Sequence, residues 1–303
     1  MELNPVFPIE LPDLRIRKGA NRERPALRWY GGKFLLAPWI ISHFPESYRE
    51  LHYLEPYGGG GSVLLRKSPS ALETYNDLDS AVTSFFRVLR ERPEELIRAL
   101  RLTPYAREEY QLSLLAHTGE ELELARLFFV RYWQSIGGTG ERPGWKVGRT
   151  KSGRYTSNPE SFELSIGNLS RIAERLRRVQ IENMEALELI RKADYPESLF
   201  YVDPPYVMGS RVIQSGSYAH ELSNEDHIRL AETLRELSGY VLLSAYEDSL
   251  YEELYRDHDW VSTLAETRAN SGRITKEILW INPRLASELK GRGGLNLWTP
   301  LTR

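Results

Sequence analysis

Apolar positions along this chain recur with two periods. Behind the turn Arg28-Trp29-Tyr30-Gly31-Gly32-Lys33, residues Leu35, Leu36, Trp39 and Ile40 recur at the spacing of an amphipathic helix. Two short apolar runs, Leu51 to Glu55 and Leu72 to Asn76, read as buried strands. Between them lie Pro56-Tyr57-Gly58-Gly59-Gly60-Gly61-Ser62 and a helix beginning at Val63. From about 80 to 136 the pattern is helical, with Pro93 and Pro104 where helices start. Residues 137–160 break it with glycine, serine and basic side chains. A helix is expected at 166–177, then strands at 179–182, 198–203 and 240–244 alternating with helices at 185–192 and 224–237. Residues 260–266 and 275–282 read as an antiparallel hairpin.

Strands alternating with helices predict an α/β protein with parallel-sheet units. The sheet domain comes in two pieces, 27–84 and 179–283, around a mainly helical insertion at 85–178. An extended arm, 1–26, precedes it and a tail, 284–303, follows. The helical stripes Leu96, Leu100, Leu124, Leu127 and Phe128 are expected in the core.

Composition narrows the chemistry. With no cysteine in 303 residues, disulfides, thiolate metal sites and cysteine nucleophiles are excluded. The six histidines show no metal-ligand spacing, so no metal is expected. No apolar run approaches the roughly 18 residues needed to cross a bilayer, and the first 26 residues lack the apolar core of a signal peptide. A cytoplasmic monomer without a membrane partner is therefore expected. A net charge of −2 argues against a uniformly basic surface, yet leaves room for a local basic patch.

Two motifs carry chemistry. The glycine run after a buried strand permits a tight turn and close approach of a ligand, and Asp77, ending the next strand, is placed to bind ribose hydroxyls. The second motif, Asp203-Pro204-Pro205-Tyr206, follows the apolar run Leu199 to Val202. Two prolines remove two N–H donors and leave carbonyl acceptors where an open α/β sheet places its ligands. Asp203 adds a carboxylate and Tyr206 a flat face. An exocyclic amino group suits such a site. Its lone pair is delocalised into the ring, so acceptors on its hydrogens are needed to draw the nitrogen towards tetrahedral geometry and to stabilise the charge that grows as it attacks a methyl group.

At about 28–283 the chain resembles the DNA adenine methyltransferase (Dam) family. The resemblance rests on Trp29-Tyr30-Gly31-Gly32-Lys33, Glu55-Pro56-Tyr57-Gly58-Gly59-Gly60-Gly61-Ser62, Asn76-Asp77-Leu78-Asp79 and Asp203-Pro204-Pro205-Tyr206. Gly239 to Ser244 and Glu277 to Asn282 extend it. It implies a Rossmann-like methyltransferase sheet with a C-terminal hairpin, S-adenosylmethionine as cofactor and double-stranded DNA as partner, with the target adenine flipped out of the duplex. Trp29, Lys33, Glu55, Tyr57, Gly58, Gly59, Gly61, Asp77 and Asp203 are then cofactor-binding positions. Asp203, Pro204, Pro205 and Tyr206 are catalytic, with Tyr206 stacking on the base. Glu185 stands near where the family often has aspartate, which leaves the contact to the cofactor's adenine ring open.

The insertion matches the family's target-recognition region in position. Arg142, Lys146, Arg149, Lys151 and Arg154 fall within 13 residues that contain no acid, with Trp145 and Tyr155 interleaved or adjacent. Such a loop neutralises phosphates. An RNA substrate, a cytosine amino group and a non-catalytic cofactor-sensing module remain alternatives from the residues alone. Changing Arg149, Lys151 and Arg154 together to alanine is expected to weaken DNA binding and flatten its log–log salt dependence by roughly 2–3, with cofactor affinity unchanged. Filter or fluorescence binding at several salt concentrations checks this, and an unchanged slope would mean the loop faces solvent.

Overall fold

The computed structural model describes residues 24–116, 119–136, 144–148, 157–207, 220–268 and 274–291. The expected arm at 1–26 lies almost entirely outside these residues. The chain begins with a turn and the short helix α1 (Ala37–Ser42), then β1 (His52–Glu55), α2 (Ser62–Arg66) and β2 (Leu72–Asn76). Six helices follow: α3 (Ser80–Glu91), α4 (Pro93–Arg101), α5 (Arg107–Leu115), α6 (Glu121–Gln134), α7 (Asn158–Gly167) and α8 (Leu169–Leu176). The rest runs β3 (Gln180–Glu182), α9 (Ala186–Lys192), β4 (Ser198–Val202), α10 (Asn224–Arg235), β5 (Tyr240–Ala245), α11 (Ser249–Tyr255), β6 (Val261–Arg268), β7 (Ile274–Ile281) and α12 (Pro283–Gly291).

The seven strands form one sheet in the order β3-β2-β1-β4-β5-β7-β6. The first five strands are parallel and β7 enters antiparallel beside β5, with β6 as the outer strand. Successive strand residues face opposite sides, so each strand feeds two cores. Tyr53, Leu199, Tyr201, Leu242 and Leu279 pack against α1, α3, α4, α6, α8 and α12. Leu54, Phe200, Val202, Leu243, Ile278 and Trp280 pack against α9, α10 and α11. Helices on both faces explain why the central strands are apolar throughout rather than alternating.

Strand order reverses between β1 and β4. The chain leaves β1 for β2 over one face and leaves β4 for β5 over the other, which opens a crevice at their carboxyl ends. The glycine loop and Asp203 follow these two strand ends and so become neighbours.

The helical block is fixed to the sheet and to the N-terminal turn. Buried Glu73 on β2 accepts a two-pronged contact from Arg175 on α8 and pairs with buried Lys67 beyond α2. A buried carboxylate of this kind is tolerated in a core because both its oxygens are met by cations. Trp133 on α6 donates to the Ala26 carbonyl at 3.1 Å, and Asn168 to the Arg24 carbonyl at 2.7 Å. The turn carrying Trp29 and Lys33 is thus held by the block that follows β2.

Two helices extend the reading from sequence. α11 follows β5, capped by Asp248 accepting from Leu250 N–H at 2.9 Å. α12 begins at Pro283, where a missing N–H is harmless, and its Leu285, Ala286 and Leu289 close the core beside β5. The helix expected at 166–177 is α8, and a further helix, α7, precedes it from Asn158, where Ser157 and Glu160 form a capping box.

Candidate active site

The glycine loop owes its composition to the protein's own aromatic rings. A Cβ on Gly58 would lie 2.2 Å from the Tyr75 ring. One on Gly59 would lie 2.5 Å from Trp29 Nε1, and one on Gly60 2.8 Å from Trp29 Cβ. Gly59 and Gly61 also sit at φ +47° and +63°, where side chains are strained. The ring of Trp29 is held from its other side by Tyr132 of α6, stacked at 4.8 Å. Close approach of backbone is therefore required, with the protein's own side chains making it.

Three ties shape the loop. Gly58 N–H donates to the Asn76 carbonyl at 2.8 Å, and the Tyr75 hydroxyl donates to the Gly59 carbonyl at 2.7 Å. Gly59 N–H donates to Asp77 Oδ2 at 2.8 Å, while Asp79 N–H takes Oδ1 at 2.9 Å. Burial pushes the Asp77 carboxyl up to about 6. Asn76, fully buried, was not singled out from sequence. Its side chain donates to the Pro56 and Met184 carbonyls at 2.8 and 3.1 Å, tying the loop to the segment after β3. Glu185 caps α9 by accepting from Glu188 N–H at 2.8 Å.

Trp29, Lys33, Glu55, Tyr57, Gly58, Gly59 and Asp203 line one cleft. Gly61 caps α2, and Asp77 stands behind Gly59. Glu55 ends β1 with only 2% of its surface exposed. Its Oε1 accepts from the Tyr53 hydroxyl at 2.5 Å, and burial pushes its carboxyl up to about 7. Burial also raises the Tyr57 hydroxyl well above its ordinary value.

Across the cleft four groups interlock. Lys33 Nζ donates to the Gly31 carbonyl at 2.8 Å and lies 2.9 Å from Asp203 Oδ1 and 3.4 Å from Glu277 Oε1. The Tyr206 hydroxyl is 3.0 Å from Asp203 Oδ1 and also bonds Glu277 Oε1. Lys33 sits 4.8 Å over the Tyr206 ring, and Tyr246 meets that ring edge-on at 4.6 Å. The Lys33 and Tyr206 contacts to Asp203 both fall on Oδ1, and among the described residues no hydrogen bond engages Oδ2. Tyr206 is only 4% exposed, so a base can stack on it only once its surroundings open. Pro204 is buried and Pro205 half-buried. Glu277, quoted from sequence only as part of a strand motif, is the fourth member of the cluster. β7 runs antiparallel, so its first residues lie at the carboxyl ends of the parallel strands, a neighbourhood that sequence order conceals.

Of the basic positions, Arg142, Arg149, Lys151 and Arg154 lie outside the described residues. Lys146 is half-buried, and its N–H donates to the Gln134 carbonyl at 2.8 Å. Burial lowers its ammonium to about 8, with the cation of Arg28 adding to the effect. Arg28 is itself lowered by burial, and its Nη1 has no hydrogen-bond partner among the described residues. Trp145 is engaged: its Nε1 donates to Gln134 at 3.1 Å, with Tyr105 and Arg107 against its ring.

A larger cavity of about 510 Å³ lies between α3, α5, α6 and β3. Its Arg87 and Arg90 pair with Glu121 and Glu91, and no acceptor cluster converges on it. The acceptors and cations singled out from sequence therefore gather at the smaller cleft. Among the described residues no three His, Asp or Glu side chains gather to hold a metal ion, and no helix is long and apolar enough to cross a membrane.

Comparison with known proteins finds a family match and full-length relatives. The sequence model of the D12 class N6 adenine-specific DNA methyltransferases matches residues 29–134 and 145–269. The type II methyltransferase M1.LlaDCHI of Lactococcus lactis subsp. cremoris is 30% identical over 285 residues, spanning 87% of this chain and 97% of the relative. The type II methyltransferase M.MjaIII of Methanocaldococcus jannaschii is 24% identical, spanning 82% and 93%. A DNA adenine methylase of Vibrio cholerae serotype O1 is 25% identical, spanning 88% and 99%.

The loop geometry predicts that Gly59→Ala destabilises the fold by about 1–3 kcal/mol, through the strained φ and the clash with Trp29. It should also weaken binding in the cleft. Denaturant unfolding and a cofactor titration check this. Wild-type stability would show that Trp29 moves aside freely.

Proposed function

This chain belongs to the D12 class of N6 adenine-specific DNA methyltransferases, and we propose that it draws the methyl group from S-adenosylmethionine and receives the target adenine, flipped from the duplex, against Asp203. The cofactor supplies a methyl group on a positively charged sulfur. The groups lining the cleft suit such a molecule. Glu55 and Asp203 are acceptors for hydroxyls and an ammonium, with Asp77 close behind Gly59, Lys33 is a cation for a carboxylate, and the aromatic walls are Trp29 and Tyr57.

The observation that carries the proposal is the state of Asp203. Its Oδ1 is engaged by Lys33 and Tyr206, which leaves Oδ2 as an acceptor at the mouth of the crevice. There it takes one hydrogen of the adenine amino group, and a carbonyl of the Pro204–Pro205 pair takes the other. The nitrogen lone pair is drawn out of conjugation, and the negative charge stabilises the positive charge growing on it. Tyr206 offers a ring for the base to stack on once the site opens.

Residues 27–84 and 179–283 form the catalytic part in this reading, and the helical block at 85–178 presents the DNA-recognition surface. The acid-free basic run at 142–154 neutralises phosphates and fixes the enzyme on the duplex in this reading.

Asparagine at position 203 keeps the size and an acceptor oxygen while removing the charge. Asp203→Asn is expected to slow methyl transfer by a factor on the order of a hundred or more, equivalent to about 3 kcal/mol. DNA affinity should change far less, since phosphate contacts dominate it. Single-turnover transfer of labelled methyl to duplex DNA at saturating cofactor measures this. A variant as fast as wild type would refute the charge-stabilising role.

A further inference from the structure

Glu277 is a costly residue to bury without purpose. It is 5% exposed, on β7 opposite Ala265 of β6. Desolvating a carboxyl is unfavourable, and an apolar side chain would fill the space more cheaply. The groups facing it come from several elements: Lys33 from the N-terminal turn, Asp203 and Tyr206 after β4, Tyr201 on β4 and Tyr246 after β5. Tyr201 shares its hydroxyl with Ser244 at 2.8 Å. Lys276, next along the strand, faces Glu247 at 3.8 Å. What remains to hold Glu277 is Lys33 and Tyr206, the same two groups that hold Asp203.

We propose that Glu277 is a positioning residue for methyl transfer: it shares the Lys33 ammonium and the single Tyr206 hydroxyl proton with Asp203 Oδ1, which holds the lysine and tyrosine beside that oxygen and so keeps Oδ2 turned towards the adenine amino group. The inference rests on Asp203 being the amino-group acceptor. One hydroxyl and one ammonium are shared between two carboxyls, so the arrangement is set by all four members. Without Glu277 the tyrosine hydroxyl has one carboxyl to serve instead of two, Lys33 loses one of its acceptors, and the Asp203 carboxylate gains freedom to rotate. A misplacement of about 1 Å at a reacting group costs on the order of a hundredfold in rate.

Protonation gives a readout that a purely structural role would not move. Burial, opposed by Lys33 and reinforced by Asp203, pushes the Glu277 carboxyl up to about 7. Above that pH it is an anion and holds both donors; below it the hold on Lys33 weakens. The kcat/KM for cofactor, which reports the free enzyme, should therefore rise through about pH 7. Glu55 is pushed into the same range, so the decisive observation is what happens to the step in Glu277→Gln.

The experiment compares wild type, Glu277→Ala, Glu277→Gln and Asp203→Asn. Single-turnover rates are taken at saturating cofactor and DNA, and the kcat/KM profile is taken across pH. Glu277→Ala should transfer methyl groups at least about tenfold more slowly with DNA affinity unchanged, and Glu277→Gln, whose amide oxygen still accepts from Tyr206, should recover to within about threefold of wild type. The step near pH 7 should be absent from Glu277→Gln. A Glu277→Ala rate within about twofold of wild type, or a step that persists unchanged in Glu277→Gln, overturns the inference. Should Glu277→Ala fail to fold, the Glu277→Gln profile decides alone. Slow Asp203→Asn beside fast Glu277→Ala refutes only the role of Glu277; a fast Asp203→Asn refutes the acceptor reading itself.

Discussion

A single buried ammonium, that of Lys33, allows two carboxyls to sit side by side at the mouth of the crevice. Asp203 and Glu277 both lean on it, and the Tyr206 hydroxyl bridges the same two oxygens. Like charges this close cannot both stay ionised away from water unless a cation lies between them. The position of Lys33 is in turn the product of long-range packing. Its turn is held by Trp29 against Tyr132 of α6 and by Trp133 and Asn168 on the Ala26 and Arg24 carbonyls. The helical block between β2 and β3 therefore supports the catalytic cleft as well as presenting a surface beside it.

Topology explains why the four members meet. Reversal of strand order between β1 and β4 opens the crevice, and β4 delivers Asp203 to it. The antiparallel β7 delivers Glu277 from the opposite chain direction. A parallel strand in that place would have carried its first residues to the far end of the sheet. The closing hairpin thus contributes to the crevice a side chain that the parallel strands do not supply at that point.

Much of this was legible in the sequence because the signals are local. Short apolar runs located β1, β2, β4 and β5, with proline or glycine just beyond β1 and β4, and alternation with helical periods gave the α/β class. The expected hairpin is present as β6 and β7. The Asp203 motif was legible through its prolines, and family membership now decides DNA over RNA and adenine over cytosine. What escaped depends on distant partners. The glycines announced a close approach, but only the fold shows that Tyr75 and Trp29 make it. Asn76 and Glu277 carry no local mark of their roles, because their partners lie 108 and 71 residues away. Arg28 stood in plain view within the opening turn, yet its spare donor and its neighbour Lys146 are visible only in three dimensions.

The claim that Lys33 makes the carboxyl pair tolerable has a direct thermodynamic consequence. Glu277 titrates above its unfolded value of 4.5 even with Lys33 beside it, so the folded state holds its proton more tightly and stability falls as pH rises through that window. Removing the cation widens the window upward. The measurement is the melting temperature of Lys33→Met against wild type from about pH 5 to about pH 9. The account predicts a small deficit at acid pH, where a proton replaces the lysine, growing steadily as pH rises. A deficit that is equal at both ends, or larger in acid, would contradict it.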